Sequence, residues 1–223
     1  MIKLVVFDMA GTTVDEDNVV YKTVRMAINA AGHNYTQDQV QAAGAGKEKS
    51  QAIRDVLSID GGAPSDEEVA AIFADFKGRL KKAYQDLDVK EQPGATELFA
   101  KLHQQGVKVV LNTGYDRATA ESLVNKIGWK VGEQIDALVT ASDVENGRPA
   151  PDMILRAMEL TGVESAAAVA KVGDSAIDIE EGLSAGCGKT FGITTGAQTA
   201  EQIQQAGPTA ILNHLHELSA AIA

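Results

Sequence analysis

Short β-rich runs alternate with helix-like stretches along most of this 223-residue chain, and that alternation limits the architecture more than any single residue does. Residues 2–7, 108–111, 136–140, 168–172 and 190–194 read as buried strands, with a weaker candidate at 210–212. Between them, residues 93–105, 116–127, 151–161, 175–185 and 199–206 carry helical spacing. Gly106, Gly128, Gly162, Gly186 and Gly207 stand where such helices end. Elements of this length in this order predict a doubly wound, parallel-sheet α/β core with helices on both faces.

One stretch breaks the alternation. Between Asp15 and Asp88 no strand is apparent, while residues 18–31, 47–57 and 66–84 have helical periodicity. Val19, Val20, Val24, Ala27 and Ile28 share one side of the first of these, and residues 61–65 read as a turn and cap before the last. The expected organisation is a core of residues 1–14 and 89–223, with residues 15–88 inserted as an all-helical cap domain over the carboxyl edge of the sheet. Val19, Val20 and Met26 are the candidate seam for a homodimer through the cap.

Composition excludes several functions. Twenty Lys and Arg against 31 Asp and Glu leave a formal charge of −11, and no basic run interleaved with aromatics offsets it, so nucleic acid is not an expected partner. One cysteine, Cys187, leaves no internal disulfide and no multi-cysteine zinc site. The opening apolar run ends at Asp8, too short for a signal peptide or a membrane span. The expected location is the cytoplasm, with no membrane partner.

In open α/β sheets ligands bind beyond the carboxyl ends of the strands. The first strand is followed by Asp8-Met9-Ala10-Gly11-Thr12-Thr13, and the second runs into Asn112-Thr113-Gly114-Tyr115. Gly147-Arg148-Pro149 lies shortly after the third, and Gly173-Asp174 with Asp178 follows the fourth. This set suits Mg²⁺-assisted phosphoryl transfer. Mg²⁺ takes oxygen ligands and keeps several waters, so Asp8, Asp174 and the Ala10 carbonyl can supply its protein oxygens, with Asp178 orienting a bound water. Asp8 can attack phosphorus covalently. Thr113 and the amides near Gly11 and Thr12 can bind phosphoryl oxygens, and Arg148 can offset transition-state charge. Taken singly, Asp8 and Asp174 also fit helix N-caps, Thr113 a turn, Asp178 a first-turn acid and Arg148 a surface charge. His214 and His216 read as surface residues.

Asp8-x-x-Gly11-Thr12, Thr113, Arg148-Pro149 and Gly173-Asp174-x-x-x-Asp178, in this order, resemble the four motifs of the haloacid dehalogenase superfamily over nearly the whole chain. The resemblance implies a Rossmann-like core, an inserted cap, Mg²⁺ and an aspartyl-phosphate at Asp8. Most phosphatases of that superfamily carry a second Asp two positions after the nucleophile as proton donor, where this chain has Ala10. Phosphonoacetaldehyde hydrolases lack that acid, and Asp8 to Thr13, Thr113-Gly114-Tyr115, Gly147-Arg148-Pro149 and the segment around Asp174 are similar to theirs. Their substrate contacts fall here on Gly11, Thr12, Gly114 and Tyr115. Their cap supplies a Gly-x-x-Lys whose amine forms a Schiff base with the substrate aldehyde, and Gly44-Ala45-Gly46-Lys47 matches that spacing. Ala43 and Ser50 depart from the family Met and His. The expectation is a phosphonatase-like hydrolase of a small phosphonate. The alternatives are a phosphatase for a small phosphate ester, with Lys47 as a charge contact, and a non-catalytic domain that binds a phosphorylated ligand or a protein.

Overall fold

The computed structural model describes residues 1–44 and 47–222, with every side chain among them except that of Asp86. The chain divides into two compact units, residues 1–15 together with 89–223, and residues 16–88.

The first unit is built on six parallel strands: β1 (Leu4–Asp8), β4 (Lys108–Thr113), β5 (Ala137–Thr140), β6 (Val169–Gly173), β7 (Lys189–Ile193) and β8 (Ala210–Leu212), in the order β5-β4-β1-β6-β7-β8. The chain steps outward from β1 to β4 and β5, then returns to the other side of β1 for β6, so the order reverses beside β1. That reversal opens the crevice in which such sheets bind ligands. Helices α5 (Ala95–Gln104), α6 (Arg117–Ile127), α7 (Asp152–Thr161), α8 (Ala176–Ser184) and α9 (Ala200–Gln204) connect the strands, and α10 (Leu218–Ala221) follows the last.

β1 is buried at every position because it packs on both faces. Leu4 and Val6 point into a cluster with Val110, Val139, Val169 and the α7 residues Met153, Ile154 and Ala157. Phe7 faces the other way, its ring 5.4 Å from that of Phe99, which in turn lies 5.1 Å from Trp129. A two-residue antiparallel pair, β2 (Val14–Asp15) with β3 (Lys90–Glu91), joins the points where the chain leaves and re-enters this unit. It is too short to leave a period in the sequence.

The second unit holds α1 (Val19–Ala30), α2 (Gln37–Gly44), α3 (Lys49–Leu57) and α4 (Asp66–Asp86). Sequence periodicity misses α2 because Val40 is its one large buried apolar residue. Its cap was legible, however. Thr36 N donates to Gln39 Oε1 at 2.9 Å, and Gln39 N donates to Thr36 Oγ1 at 3.2 Å, a reciprocal capping box. α3 starts at Lys49, two residues later than periodicity suggests, because the Glu48 carboxylate accepts from the amides of Ser50 and Gln51. The proposed dimer seam needs correction: Val19 and Val20 are buried within the single chain, which leaves Met26 as the exposed member of the three. Among the described residues no helix is long and apolar enough to cross a membrane.

Candidate active site

Register places the expected residues on one edge. Asp8 is paired with Asn112 on β4, and Phe7 with Val172 on β6, so Asp8, Thr113 and Asp174 emerge from adjacent strands at the same end. After Asp8 the chain turns tightly: the amides of Thr12, Thr13 and Val14 donate to Met9 O at 3.1, 2.9 and 2.8 Å, and Gly11 N donates to Val14 O at 2.9 Å. Gly11 takes φ +78°, which a side chain would strain.

This turn corrects one expectation. The amides of Gly11 and Thr12 are engaged within it, whereas those of Met9 and Ala10 make none of these turn hydrogen bonds. These are the donors a phosphoryl oxygen beside Asp8 can use. The Thr12 hydroxyl is buried without a hydrogen-bond partner. Thr113 Oγ1 accepts from Tyr115 N at 3.2 Å and so shapes the turn that carries Gly114 and Tyr115.

Arg148 reaches into the centre of the site. Its Nη1 lies 2.7 Å from Asp8 Oδ1 and 3.0 Å from Asp178 Oδ1, and its Nε donates to Glu181 Oε2 at 3.0 Å. Its Nη2 donates to Asn112 Oδ1 at 2.7 Å and to Asn112 O at 3.0 Å. Lys171, 0% exposed, donates to the same Asn112 Oδ1 at 2.6 Å and lies 3.1 Å from Asp178 Oδ1 and 3.2 Å from Glu181 Oε2. The contacts of Asp178 Oδ1 with the two cations are ionic, without hydrogen-bond alignment. Asn112 Nδ2 completes the ring by donating to Glu181 Oε1 at 2.8 Å, and Ser175 Oγ donates to Asp178 Oδ2 at 2.6 Å.

Asn112, Lys171, Glu181 and Ser175 were not singled out from sequence. Lys171 carried a usable signal: it stands in the middle of Val169–Gly173, an otherwise apolar strand, and a buried ammonium needs acids close by.

The electrostatics separate the three aspartates. Burial pushes the Asp8 carboxyl up; Arg148 opposes this without reversing it, and Asp178 adds to the rise. Burial, then the charges of Asp8 and Asp178, hold Asp174 well above the ordinary carboxylate range. Asp178 is also buried, but Arg148 and Lys171 outweigh that and keep it below its ordinary value. Among the described residues Asp174 has no cationic side-chain partner; Ala197 N donates to its Oδ2 at 2.6 Å.

Among the described residues Asp8, Asp178 and Glu181 thus share two cations, Arg148 and Lys171, and Asp174 contacts neither. No three His, Cys, Asp or Glu side chains among the described residues form a complete metal cage. Mg²⁺ does not need one, since it binds through one or two carboxylates plus waters and substrate oxygens. Asp174, without a cationic partner among the described residues and beside Asp8, fits such an ion. Ala10 lies in the turn directly after Asp8.

Lys47 belongs to the other unit, and Ala45 and Gly46 of the Gly44–Lys47 loop lie outside the described residues. Its ammonium is ion-paired with Asp55, and its side chain is 46% exposed. Lys49 Nζ donates to Lys47 O at 2.8 Å and to Tyr21 Oη at 3.2 Å. Ser50, at the position of the family His, donates its hydroxyl to Glu48 at 2.5 Å.

A parallel sheet with reversed strand order and acids gathered at its carboxyl edge defines the class. Residues 2–186 match the family model of haloacid dehalogenase-like hydrolases, and the chain belongs to that family. Within it, the chain falls in the phosphonoacetaldehyde hydrolase-like branch. It is 31% identical over 211 residues to the phosphonoacetaldehyde hydrolase of Hahella chejuensis, covering 87% of this chain and 68% of that protein. It is 33% identical over 196 residues to the bifunctional phosphonoacetaldehyde hydrolase/aminoethylphosphonate transaminase of Clostridioides difficile. That match covers 83% of this chain but only 30% of the longer protein. The crystal structure of a phosphonoacetaldehyde hydrolase-like protein from Oleispira antarctica superposes with a TM-score of 0.81 at 27% identity, covering 99% of this chain and 91% of that one.

Proposed function

We propose that this hydrolase is Mg²⁺-dependent and cleaves the C–P bond of a small phosphonate of the phosphonoacetaldehyde type. The observation that carries the reading is Ala10. Two residues beyond the nucleophile there is no acid to protonate a leaving oxygen, while Asp8, Thr113, Arg148, Asp174 and Asp178 stand at their motif positions. A carbon leaving group needs an electron sink instead, and an imine formed between Lys47 and the aldehyde supplies one.

In this scheme an oxygen of Asp8 attacks phosphorus. The C–P bond breaks, its electron pair passes into the iminium as an enamine, and an aspartyl-phosphate forms. Water then attacks that phosphorus and releases phosphate, regenerating Asp8, while the enamine takes up a proton and is hydrolysed to acetaldehyde and free Lys47. Arg148 holds the Asp8 carboxylate in place before attack and offsets charge on the phosphoryl group. The amides of Met9 and Ala10 bind equatorial oxygens. Asp8 and Asp174 would hold Mg²⁺, with Asp178 fixing its surroundings, and the ion would neutralise charge between nucleophile and phosphoryl group.

The Lys47–Asp55 ion pair favours a second reading. An ammonium engaged in this way has to leave its carboxylate and lose a proton before it attacks a carbonyl, whereas a phosphate-gripping lysine needs neither. In that reading the enzyme is a phosphatase for a small phosphate ester. Borohydride separates the two. Added with phosphonoacetaldehyde, it inactivates the enzyme and labels Lys47 if the imine forms, and Lys47→Arg abolishes turnover. Turnover of a phosphate ester with Lys47→Arg active and no adduct formed establishes the phosphatase instead.

A further inference from the structure

A segment outside the four motifs meets the turn after Asp8 and the Asp174 carboxylate together. It follows β7 and runs from Thr195 to Gln198. Thr195 Oγ1 donates to Gly11 O at 2.6 Å, tying it to the turn after Asp8. Ala197 N donates to Asp174 Oδ2 at 2.6 Å, and Gln198 N donates to Asp174 O at 3.3 Å. Gln198 Oε1 accepts from Ala176 N at 2.7 Å, at the start of α8. A Cβ built on Gly196 would collide with Asp174 Oδ2, as would one built on Gly11. Gly196 is not in the left-handed region, so space rather than torsion requires glycine there. Asp174 Oδ2 is therefore enclosed by two glycines and one amide, which fixes the rotation of the carboxylate and leaves Oδ1 as the oxygen free of this cradle.

We propose that the 195–198 loop is a positioning element of the active site, with Gly196 and the Ala197 amide aiming Asp174 at the metal and Thr195 holding the turn that presents Asp8. This rests on the reading that Asp8 and Asp174 hold Mg²⁺. Residues that orient metal ligands typically change affinity or activity by about 10–100-fold when altered. Asp8 is itself one of the two carboxylates in that reading, so Gly196 is followed by Mg²⁺ affinity and Thr195 by binding of a phosphoryl mimic once Mg²⁺ is saturating.

The test uses the whole protein, stripped of metal, and two measurements: Mg²⁺ affinity by titration calorimetry, and beryllofluoride affinity in saturating Mg²⁺. Gly196→Ala is expected to weaken Mg²⁺ by about tenfold or more. Thr195→Val is expected to weaken beryllofluoride by about tenfold with Mg²⁺ saturating, with Thr195→Ser restoring it. A purely structural loop would lower the melting temperature while leaving both affinities of the folded variants unchanged. Wild-type Mg²⁺ affinity in a folded Gly196→Ala protein overturns the Asp174 half. Normal beryllofluoride binding by Thr195→Val overturns the Asp8 half, and that variant carries the test if Gly196→Ala does not fold. A wild-type protein that takes up no Mg²⁺ removes the underlying reading, and is told apart from these outcomes because the variants are then not at issue.

Discussion

Arg148 Nη1 lies 2.7 Å from Asp8 Oδ1, although 140 residues separate the two in the chain. The guanidinium also contacts Asp178 and Glu181, and it eases ionisation of Asp8 in a buried, mostly acidic site without cancelling the upward push of burial. Asp8→Asn keeps the shape and removes the nucleophile. Turnover of the wild-type substrate should fall by roughly 10⁴-fold or more, with the melting temperature little changed. Near-normal turnover would falsify covalent catalysis by Asp8.

Asp174 carries a pH prediction. Its carboxyl is held up by burial and by its acidic neighbours, so the metal-free fold loses stability as pH rises through the folded value. A bound cation reverses that penalty. Mg²⁺ should raise the melting temperature more at pH 8 than at pH 5, where protons compete for the pair. Asp174→Asn should stabilise the metal-free protein at pH 8 and abolish the Mg²⁺ response. An equal Mg²⁺ shift at both pH values would contradict this account.

The buried ring of Lys171, Asn112, Glu181 and Arg148 is expected to behave as a unit. Lys171→Met leaves Asp178 and Glu181 to share Arg148 and should cost about 3–5 kcal/mol, read from urea unfolding. Adding Glu181→Gln restores the charge balance, so the double variant should be more stable than the Lys171→Met single. Additive losses would show that the two charges do not depend on each other.

Cys187 provides a simple probe of the fold. Burial pushes its thiol up to about 12, so little thiolate exists at pH 8. Iodoacetamide at pH 8 should leave the native protein unlabelled and modify it in guanidinium. Rapid labelling of the native state would contradict this burial.

On the far side of the sheet, Asp136 accepts from Lys108 at 2.8 Å, from Val109 N at 2.8 Å and from His103 at 2.9 Å. Burial acts against its ionisation, but these donors outweigh it and hold the carboxyl below its ordinary value. Its stabilising contribution is therefore complete above about pH 4, the unfolded value, and is lost as pH falls through the lower folded value. Asp136→Asn should cost about 1–3 kcal/mol near neutrality and make the acid-side loss of melting temperature shallower. A parallel pair of pH curves would show that Asp136 contributes nothing to that slope.

The sequence by itself determined what depends on neighbours along the chain. Strand runs, helix spacing and terminal glycines defined the parallel α/β core, and they put Asp8, Thr113 and Asp174 at strand ends because those positions follow directly from where each run stops. Even α2 was written locally, in Thr36 and Gln39. Only the tertiary structure decided which distant groups meet. The return of β6 to the side of β1 sets Lys171 beside Asn112 and Glu181, and the turn after Asp8 uses the amides of Gly11 and Thr12 while leaving those of Met9 and Ala10. The enclosure of Asp174 by Gly196 and the burial of Val19 and Val20 were decided in the same way. Period and spacing report one element at a time, whereas these contacts depend on strand order and register between elements far apart in sequence.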